Sequence, residues 1–276
     1  MLSIVRLKGG LGNQMFQYAF YLALREKHPL TCFLFDDEEV QFCHHGISLE
    51  GVFGIKLAQK VKWFRRLRRH IPIILRKVCR VEQKNSLQYD KRYLSERGLV
   101  TWYEGYWQSE KYFNPVADKV RQVFRFRENL MSERTLQLAE TLRNENHVSV
   151  HIRRGDYIPL TEYHGLCDEN YYRIAMRHIR ERIPDAVFVF FSDDMTWVKQ
   201  HLNEKDSIYV DWNEGKESWQ DMYLMVQCKH HIVANSSFSW WGAWLNEHPE
   251  QLVVAPSQWF KFSPNYDIIP SRWITL

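Results

Sequence analysis

Four short segments of the 276-residue chain carry side chains whose types and spacing could do chemistry: Gly9 to Gln14, His151 to Asp156, Ser192 to Asp194 and Asn235 to Phe238. His151 and Arg153 stand two apart, so on extended backbone both face one way while Arg154 faces the other. An arginine so placed can grip a phosphate through paired N–H donors and neutralise charge gathering on a departing diphosphate. Asn235-Ser236-Ser237 precedes the helically spaced run Phe238 to Asn246. Hydroxyls and free backbone N–H groups at such a helix start form an anion site. Ser192-Asp193-Asp194 brings carboxylates that can accept hydrogen bonds from a ribose or from the N1/N2 edge of guanine. A buried acceptor left unpaired by the wrong base is costly, which would select guanine over adenine. Each segment alone has a plainer reading, as a surface arginine pair or a helix cap; their weight depends on convergence.

The glycine loop Gly9-Gly10-Leu11-Gly12-Asn13-Gln14 leaves fewer options than its composition suggests. A dinucleotide fingerprint built on Gly10 and Gly12 requires glycine at 15, where Met15 stands, and no Gly-Lys-Ser/Thr follows to make a phosphate loop. The segment therefore reads as a tight turn where backbone approaches a ligand, followed by the two amides of Asn13 and Gln14. No Asp-X-Asp triplet and no His/Cys/carboxylate cluster with metal-ligand spacing occurs. Charge on a diphosphate would then be met by arginine and helix ends, and the expected cofactor and metal content is none.

These groups need elements to hold them. Leu2 to Leu7 reads as a strand, Met15 to Glu26 as a helix and Thr31 to Phe35 as a second strand, a βαβ opening. Beyond residue 146 the chain alternates regularly. Strands are expected at Val148 to Ile152, Val187 to Phe191, Ile208 to Val210, His231 to Ala234 and Leu252 to Val254. Helices fall between them at Glu169 to Arg182, Thr196 to Leu202, Trp219 to Cys228 and Phe238 to Asn246. This alternation predicts an α/β chain whose C-terminal half is a mostly parallel, doubly wound sheet. A polar stretch at Arg143 to Asn146 divides it into domains 1–145 and 146–276, two Rossmann-like domains facing a cleft. Ligands of such sheets bind beyond the carboxyl ends of the strands, where His151 to Asp156, Ser192 to Asp194 and Asn235 to Ser237 all emerge.

Composition narrows the classes. With 45% hydrophobic and 25% charged residues the chain is an ordinary globular protein, and a net charge of +4 falls short of a nucleic-acid binder, so no nucleic-acid partner is expected. Five dispersed cysteines without CxxC spacing suggest reduced thiols and a cytoplasmic setting. No apolar run spans a membrane, and the opening strand leaves no room for a signal peptide. Lys56 to Arg80 holds ten lysines and arginines and no acid, interleaved with Trp63, Phe64 and Ile71 to Leu75. It reads as a basic amphipathic helix, either a solvated face or a peripheral contact with anionic lipid at the inner membrane face. Two other classes stay open: a nicotinamide-dependent Rossmann oxidoreductase, and a basic membrane-surface binding protein.

Gly9 to Ala19, Gly105 to Phe113, His151 to Tyr157, Phe191 to Asp194 and Ala234 to Ala243 together resemble, in order and over nearly the whole chain, the blocks of the glycosyltransferase family 11 alpha-1,2-fucosyltransferases. The resemblance implies a GT-B-like fold and GDP-β-L-fucose held by the C-terminal half, with metal-independent transfer that inverts the anomeric carbon. It implies as partner a galactose-containing glycan acceptor, accepting at O2 and in some cases lipid-linked. A looser similarity to protein O-fucosyltransferases and alpha-1,6-fucosyltransferases implies that Arg153 holds the β-phosphate and that Asp221 helps hold the nucleoside. It also implies that Asn13 sits near the reacting centre. Animal members carry an anchor and stem before the first block, whereas this chain starts at it, as a bacterial cytosolic form would.

The donor is then expected against Gly10, Gly12, Asn13, Gln14, His151, Arg153, Arg154, Ser192, Asp193, Asp194, Asp221, Asn235, Ser236, Ser237 and Phe238. Arg153, Asn13 and Asp156 are the catalytic candidates. Asp156 is a candidate general base, yet a carboxylate behind two arginines can equally serve to orient them, and a very dissociative transition state needs no strong base. Trp102, Tyr103, Tyr106 and Trp107 offer faces for sugar stacking, or core packing.

Overall fold

The computed structural model describes residues 1–57, 78–83, 88–95, 98–155, 167–261 and 267–276. The chain forms two compact units, Met1–Arg127 with Tyr266–Ile268, and Glu128–Asn265 with Ile269–Leu276. The division lies upstream of the 145/146 boundary expected from the polar stretch. Helix α4 (Glu133–Leu142, numbering only α-helices) belongs with the second unit. There, the backbone N–H of Ser132 donates to Gln220 at 2.9 Å and Arg143 donates to Tyr223 at 2.9 Å.

In the first unit, β1 (Leu2–Arg6), β2 (Cys32–Asp36), β3 (Val78–Glu82) and β4 (Val100–Glu104) make a parallel sheet in the order β2-β1-β4-β3. Helix α1 (Leu11–Lys27) connects β1 to β2, and every residue from Met15 through Leu24 except the half-buried Tyr18 is buried. Short helices α2 (Leu49–Phe53) and α3 (Ala117–Val123) complete the described layer. The basic helix expected over Lys56 to Arg80 falls largely outside the described residues. Its end is corrected: Val78 to Arg80 are strand, because Val78 pairs with Val100, Arg80 with Trp102 and Val81 is buried in the same sheet.

The second unit holds β5 (His147–Ile152), β6 (Val187–Ser192), β7 (Ile208–Val210), β8 (His230–Ile232), β9 (Val253–Ala255) and β10 (Ile274–Thr275). They are all parallel, in the order β10-β9-β8-β5-β6-β7. Its helices are α4, α5 (Glu169–Arg180), α6 (Met195–His201), α7 (Trp219–Gln227) and α8 (Ser237–Leu245). Every residue of β5 is buried, as a strand covered on both faces must be. Val148, Val150 and Ile152 pack with Tyr172, Ala175, Met176 and Ile179, the i, i+3, i+4, i+7 face of α5. The alternate face of β5, His147, Ser149 and His151, lies under the other layer, where Phe238 of α8 meets the His151 ring at 5.7 Å. Trp240, Trp241 and Trp244 anchor α8 in the core. Strand order runs one way from β5 to β7 and the other from β8 to β10, so the sheet reverses between β5 and β8. Crevices for ligands open beyond the carboxyl ends of strands at such a reversal.

Candidate functional site

At that reversal stand the two segments with the most demanding chemistry. His151 is the next-to-last residue of β5, and Arg153, Arg154 and Gly155 follow it. The His151 ring is buried, and its pKa falls to about 3 through burial first and the neighbouring Arg153 charge second. The imidazole is therefore neutral, and its Nδ1 has no partner among the described residues. Its strand end is fixed from behind by the Tyr172 hydroxyl, which donates to the His151 carbonyl at 3.2 Å.

The arginines are held by the end of β6. Arg153 Nη1 lies 3.0 Å from Asp193 Oδ2, and the Arg154 N–H donates to Asp193 Oδ1 at 2.8 Å. Arg154 Nε donates to Asp194 Oδ2 at 3.3 Å, and its guanidinium lies 4.1 Å over the Trp197 ring. Asp194 also caps α6 by accepting from Trp197 N–H at 3.1 Å, while the Ser192 hydroxyl accepts from Asp194 N–H at 2.9 Å. A Cβ at Gly155 would stand 2.9 Å from Asp193 Oδ2, so any other residue there would displace the carboxylate that pairs with Arg153. In this structure both carboxylates thus engage the arginine segment, an orienting role that the sequence reading did not give them. Trp197 and Gly155 are members of the site that it missed. Arg-Arg-Gly followed by a distant Asp-Asp is the only trace of that pairing in the sequence.

Across the reversal, Ser236 caps α8, accepting from Phe238 N–H at 3.3 Å. Ser237, half-buried, has a hydroxyl without a partner among the described residues. Asn235 is turned into the core, donating to the Trp259 carbonyl at 3.1 Å and accepting from the Cys167 thiol at 3.6 Å. It holds the turn, and the helix end supplies the donors. Asp221, in the first turn of α7, accepts from Asn213 at 2.9 Å, and burial pushes its carboxyl up to about 8. Asn213 in turn accepts from the Thr135 hydroxyl at 3.3 Å, which ties the loop after β7 to α4. No sequence spacing signals this chain of contacts. Asp156 lies outside the described residues.

In the first unit the glycine loop follows the carboxyl end of β1, which lies between β2 and β4 in the sheet. Gly9 adopts a φ of +78°, and a Cβ there would meet Asn13 Nδ2 at 2.8 Å. Gly10 is the N-cap of α1, and Gly12 is buried in its first turn. Asn13 Oδ1 accepts from Gln108 at 2.8 Å, a partner the sequence reading missed, and Gln17 accepts from Lys8 N–H at 2.9 Å while donating to the Gly105 carbonyl at 3.2 Å. Gln14 donates to the carbonyls of Gly9 and Ile47, both at 3.0 Å. These amides stitch the ends of β1 and β4 together, assisted by Arg6, which pairs with Glu104 and Glu39. Of the four aromatics considered for sugar stacking, Tyr103 and Trp107 are core, with Trp107 stacked on Phe20 at 4.2 Å. Tyr106 is exposed, under Lys8.

The model of glycosyl transferase family 11 matches residues 2–274 of this chain. An alpha-1,2-colitosyltransferase of Escherichia coli is 34% identical, over 99% of this chain and 98% of that protein. The human galactoside alpha-(1,2)-fucosyltransferase 1 is 28% identical, over 96% of this chain and 72% of the relative. Among solved structures, the NodZ alpha-1,6-fucosyltransferase of Bradyrhizobium, soaked with GDP-fucose, superposes with a TM-score of 0.53. That match covers 88% of this chain and 92% of NodZ at 14% identity, and it shows the fold, GT-B. With the family model matched from near one end to the other and a relative of that identity over its full length, the chain belongs to glycosyl transferase family 11 and is a glycosyltransferase.

Proposed function

We propose that the chain transfers L-fucose from GDP-β-L-fucose to a galactoside hydroxyl, O2, of a glycan, with inversion and without a metal. The observation that carries this is Arg153, oriented by Asp193 at the end of β5, beside the N-terminus of α8 at the reversal of the sheet. Arg153 meets the β-phosphate and, with the Ser236 and Ser237 helix start, stabilises the charge that develops as the diphosphate leaves. The neutral His151 ring offers its unpartnered Nδ1 to the same ligand. Asp221, assisted by Asn213, takes the nucleoside. The second unit is thereby the donor half and the first unit the acceptor half, with Asn13, held by Gln108, at the reacting centre. Asp156 is either the base that removes the acceptor proton or an orienting carboxylate, and a dissociative transition state makes the second role sufficient.

The colitosyltransferase relative favours a second donor. Colitose is fucose without its 3-hydroxyl, and the diphosphate-binding residues argued above would serve either sugar. A thermal-shift titration with GDP, GDP-fucose, GDP-colitose, UDP, ADP and NADH, all with EDTA present, tests the reading. Saturating ligand at about a hundred times its Kd adds about 2.7 kcal/mol of stability. A shift with the guanine nucleotides alone supports it, and the stronger of the two sugar nucleotides names the donor. A shift with NADH or UDP and none with GDP overturns it.

A further inference from the structure

Asn13 stands in the first turn of α1, and its side chain ends in a torsion that is broad and roughly two-fold. Nothing in the residue itself therefore sets which end of the amide meets a ligand; its surroundings do. Gln108 Nε2 donates to Asn13 Oδ1 at 2.8 Å, which occupies the acceptor end. Nδ2 lies over Gly9, where a Cβ would stand 2.8 Å from it, and it makes no hydrogen bond among the described residues. The amide is left with its donor end to offer.

The neighbouring glutamines make contacts of another kind. Gln14 donates to the Gly9 and Ile47 carbonyls, and Gln17 accepts from the Lys8 N–H and donates to the Gly105 carbonyl. Those bonds satisfy backbone groups and tie β1, α1 and β4 together. The Asn13–Gln108 bond joins two side chains and satisfies no backbone group. Asn13 is half-buried, so water replaces Gln108 there at little cost to the fold.

Yet the chain holds Gln108 in place through an unusual backbone. On a continuing strand residues 106 and 108 would share a face. Instead Trp107 turns left-handed, with φ of 54°, a conformation that bulky side chains rarely adopt. Tyr106 is thereby left exposed while Gln108 is buried, at 8%. The turn is fixed from several sides. The buried Trp107 ring stacks on Phe20 at 4.2 Å and meets Tyr93 and Tyr112 edge-on at 5.2 and 5.8 Å. Gln83 Oε1 accepts from the Tyr106 and Trp107 N–H groups at 3.0 and 2.9 Å, and the Trp107 carbonyl accepts from Ser109 N–H at 2.8 Å.

We infer that Gln108 is a positioning residue for transfer: it holds Asn13 by the carbonyl and keeps the amide turned as a donor, which fixes the acceptor hydroxyl by one lone pair and leaves the other for the anomeric carbon. As that oxygen bonds the anomeric carbon, the diphosphate leaves with its electron pair. The hydroxyl proton passes to Asp156 or to water, because the free end of Asn13 is already a donor. The inference rests on the proposed place of Asn13 at the reacting centre.

Initial rates of transfer from GDP-fucose and GDP-colitose to lactose test it in Gln108→Leu, Gln108→Glu, Asn13→Ala and the double variant Asn13→Ala/Gln108→Leu. Gln108→Leu should lower kcat roughly tenfold with donor KM unchanged. The carboxylate of Gln108→Glu can only accept, so it draws Nδ2 inward and turns Oδ1 out. Its kcat should fall at least as far although a hydrogen bond survives, which a merely structural tie would not show. Adding Gln108→Leu to Asn13→Ala should cost nothing further. Thermal melts and GDP calorimetry report that each variant is folded, and Gln108→Glu decides the matter where Gln108→Leu is not. Losses that multiply in the double variant, or full activity in Gln108→Glu, overturn the inference and leave the transfer reading in place. Unimpaired transfer by Asn13→Ala removes Asn13 from the reacting centre and the inference with it. No transfer by the wild type from either sugar nucleotide overturns the transfer reading and this inference together.

Discussion

A guanidinium that is to meet a diphosphate works best when its direction is fixed before the ligand arrives, and the 3.0 Å pair with Asp193 does this for Arg153. Removing the cation removes a charge-assisted contact that strengthens as the diphosphate departs. Arg153→Ala should therefore lower kcat by about 10²-fold or more, with a smaller effect on donor KM, measured by initial-rate transfer. Near-normal turnover would remove Arg153 from the leaving-group role. Asp221 makes a second prediction with a definite sign. Its carboxyl titrates at about 8 in the fold because burial disfavours the charged form, against an ordinary value of 3.8. Between those values the unfolded chain is ionised and the folded one is not, so this group costs stability increasingly as pH rises toward 8, with no further change above it. Asp221→Asn keeps an acceptor for Asn213 and removes the titration. It should raise Tm over wild type, by more at pH 8 than at pH 5, while weakening GDP binding. A Tm gain that does not grow with pH would contradict the buried, protonated carboxyl.

Elements carry a different liability. On the adjacent strands β5 and β8, His151, His230 and His231 are buried and neutral, with pKa values lowered to about 3, 4 and 3 by burial first. His231 also meets the Ser149 hydroxyl at 2.8 Å across the strand pair. Above the ordinary 6.5 these groups are neutral in both states. As pH falls from there toward 4, the unfolded chain takes up protons that the fold refuses. Stability should be lost over that window at up to about 4 kcal/mol per pH unit for three groups. Urea midpoints at pH 7, 6, 5 and 4.5 measure this, and His231→Gln should flatten the slope by about a third. The same strands show what was readable in advance. Val148, Val150 and Ile152 alternate with polar residues between turn signals, and α5 repeats apolar residues at helical spacing, so both were legible to within a residue or two. β3 was not: Val78 and Val81 sit among arginines, and the run of positive charge hid the short strand. Likewise the aromatic cluster at Trp102 to Trp107 carried no mark separating the buried Tyr103 and Trp107 from the exposed Tyr106. The conformation at Trp107, with φ of 54°, is set by tertiary packing. In the candidate site the arginine and serine segments could be read from residue type, but the Asp193 and Asp194 pairing with the arginines depends on strand register, which sequence does not display.

At the scale of the whole chain, each unit has its own parallel sheet, and that of the second unit reverses direction between two central strands, β5 and β8. A ligand protects the amides of the elements it ties down, and the protection stays local when those elements open independently of the rest. GDP alone should therefore slow hydrogen exchange in the second unit: at the end of β5, in the Ser192 to Asp194 turn, in the Asp211 to Asn213 loop and in the first turn of α8. The Gly9 to Gln14 segment should exchange as before. A galactoside acceptor such as lactose, added without GDP, should do the converse, protecting the start of α1. Mass-spectrometric exchange of the intact chain, with each ligand alone, separates these outcomes. GDP-dependent protection confined to Gly9 to Gln14 would assign the nucleotide to the opening βαβ unit, where a dinucleotide-binding enzyme would hold it. Protection confined to the second unit leaves the first unit free for the acceptor, which is what a transfer between two separately bound sugars requires.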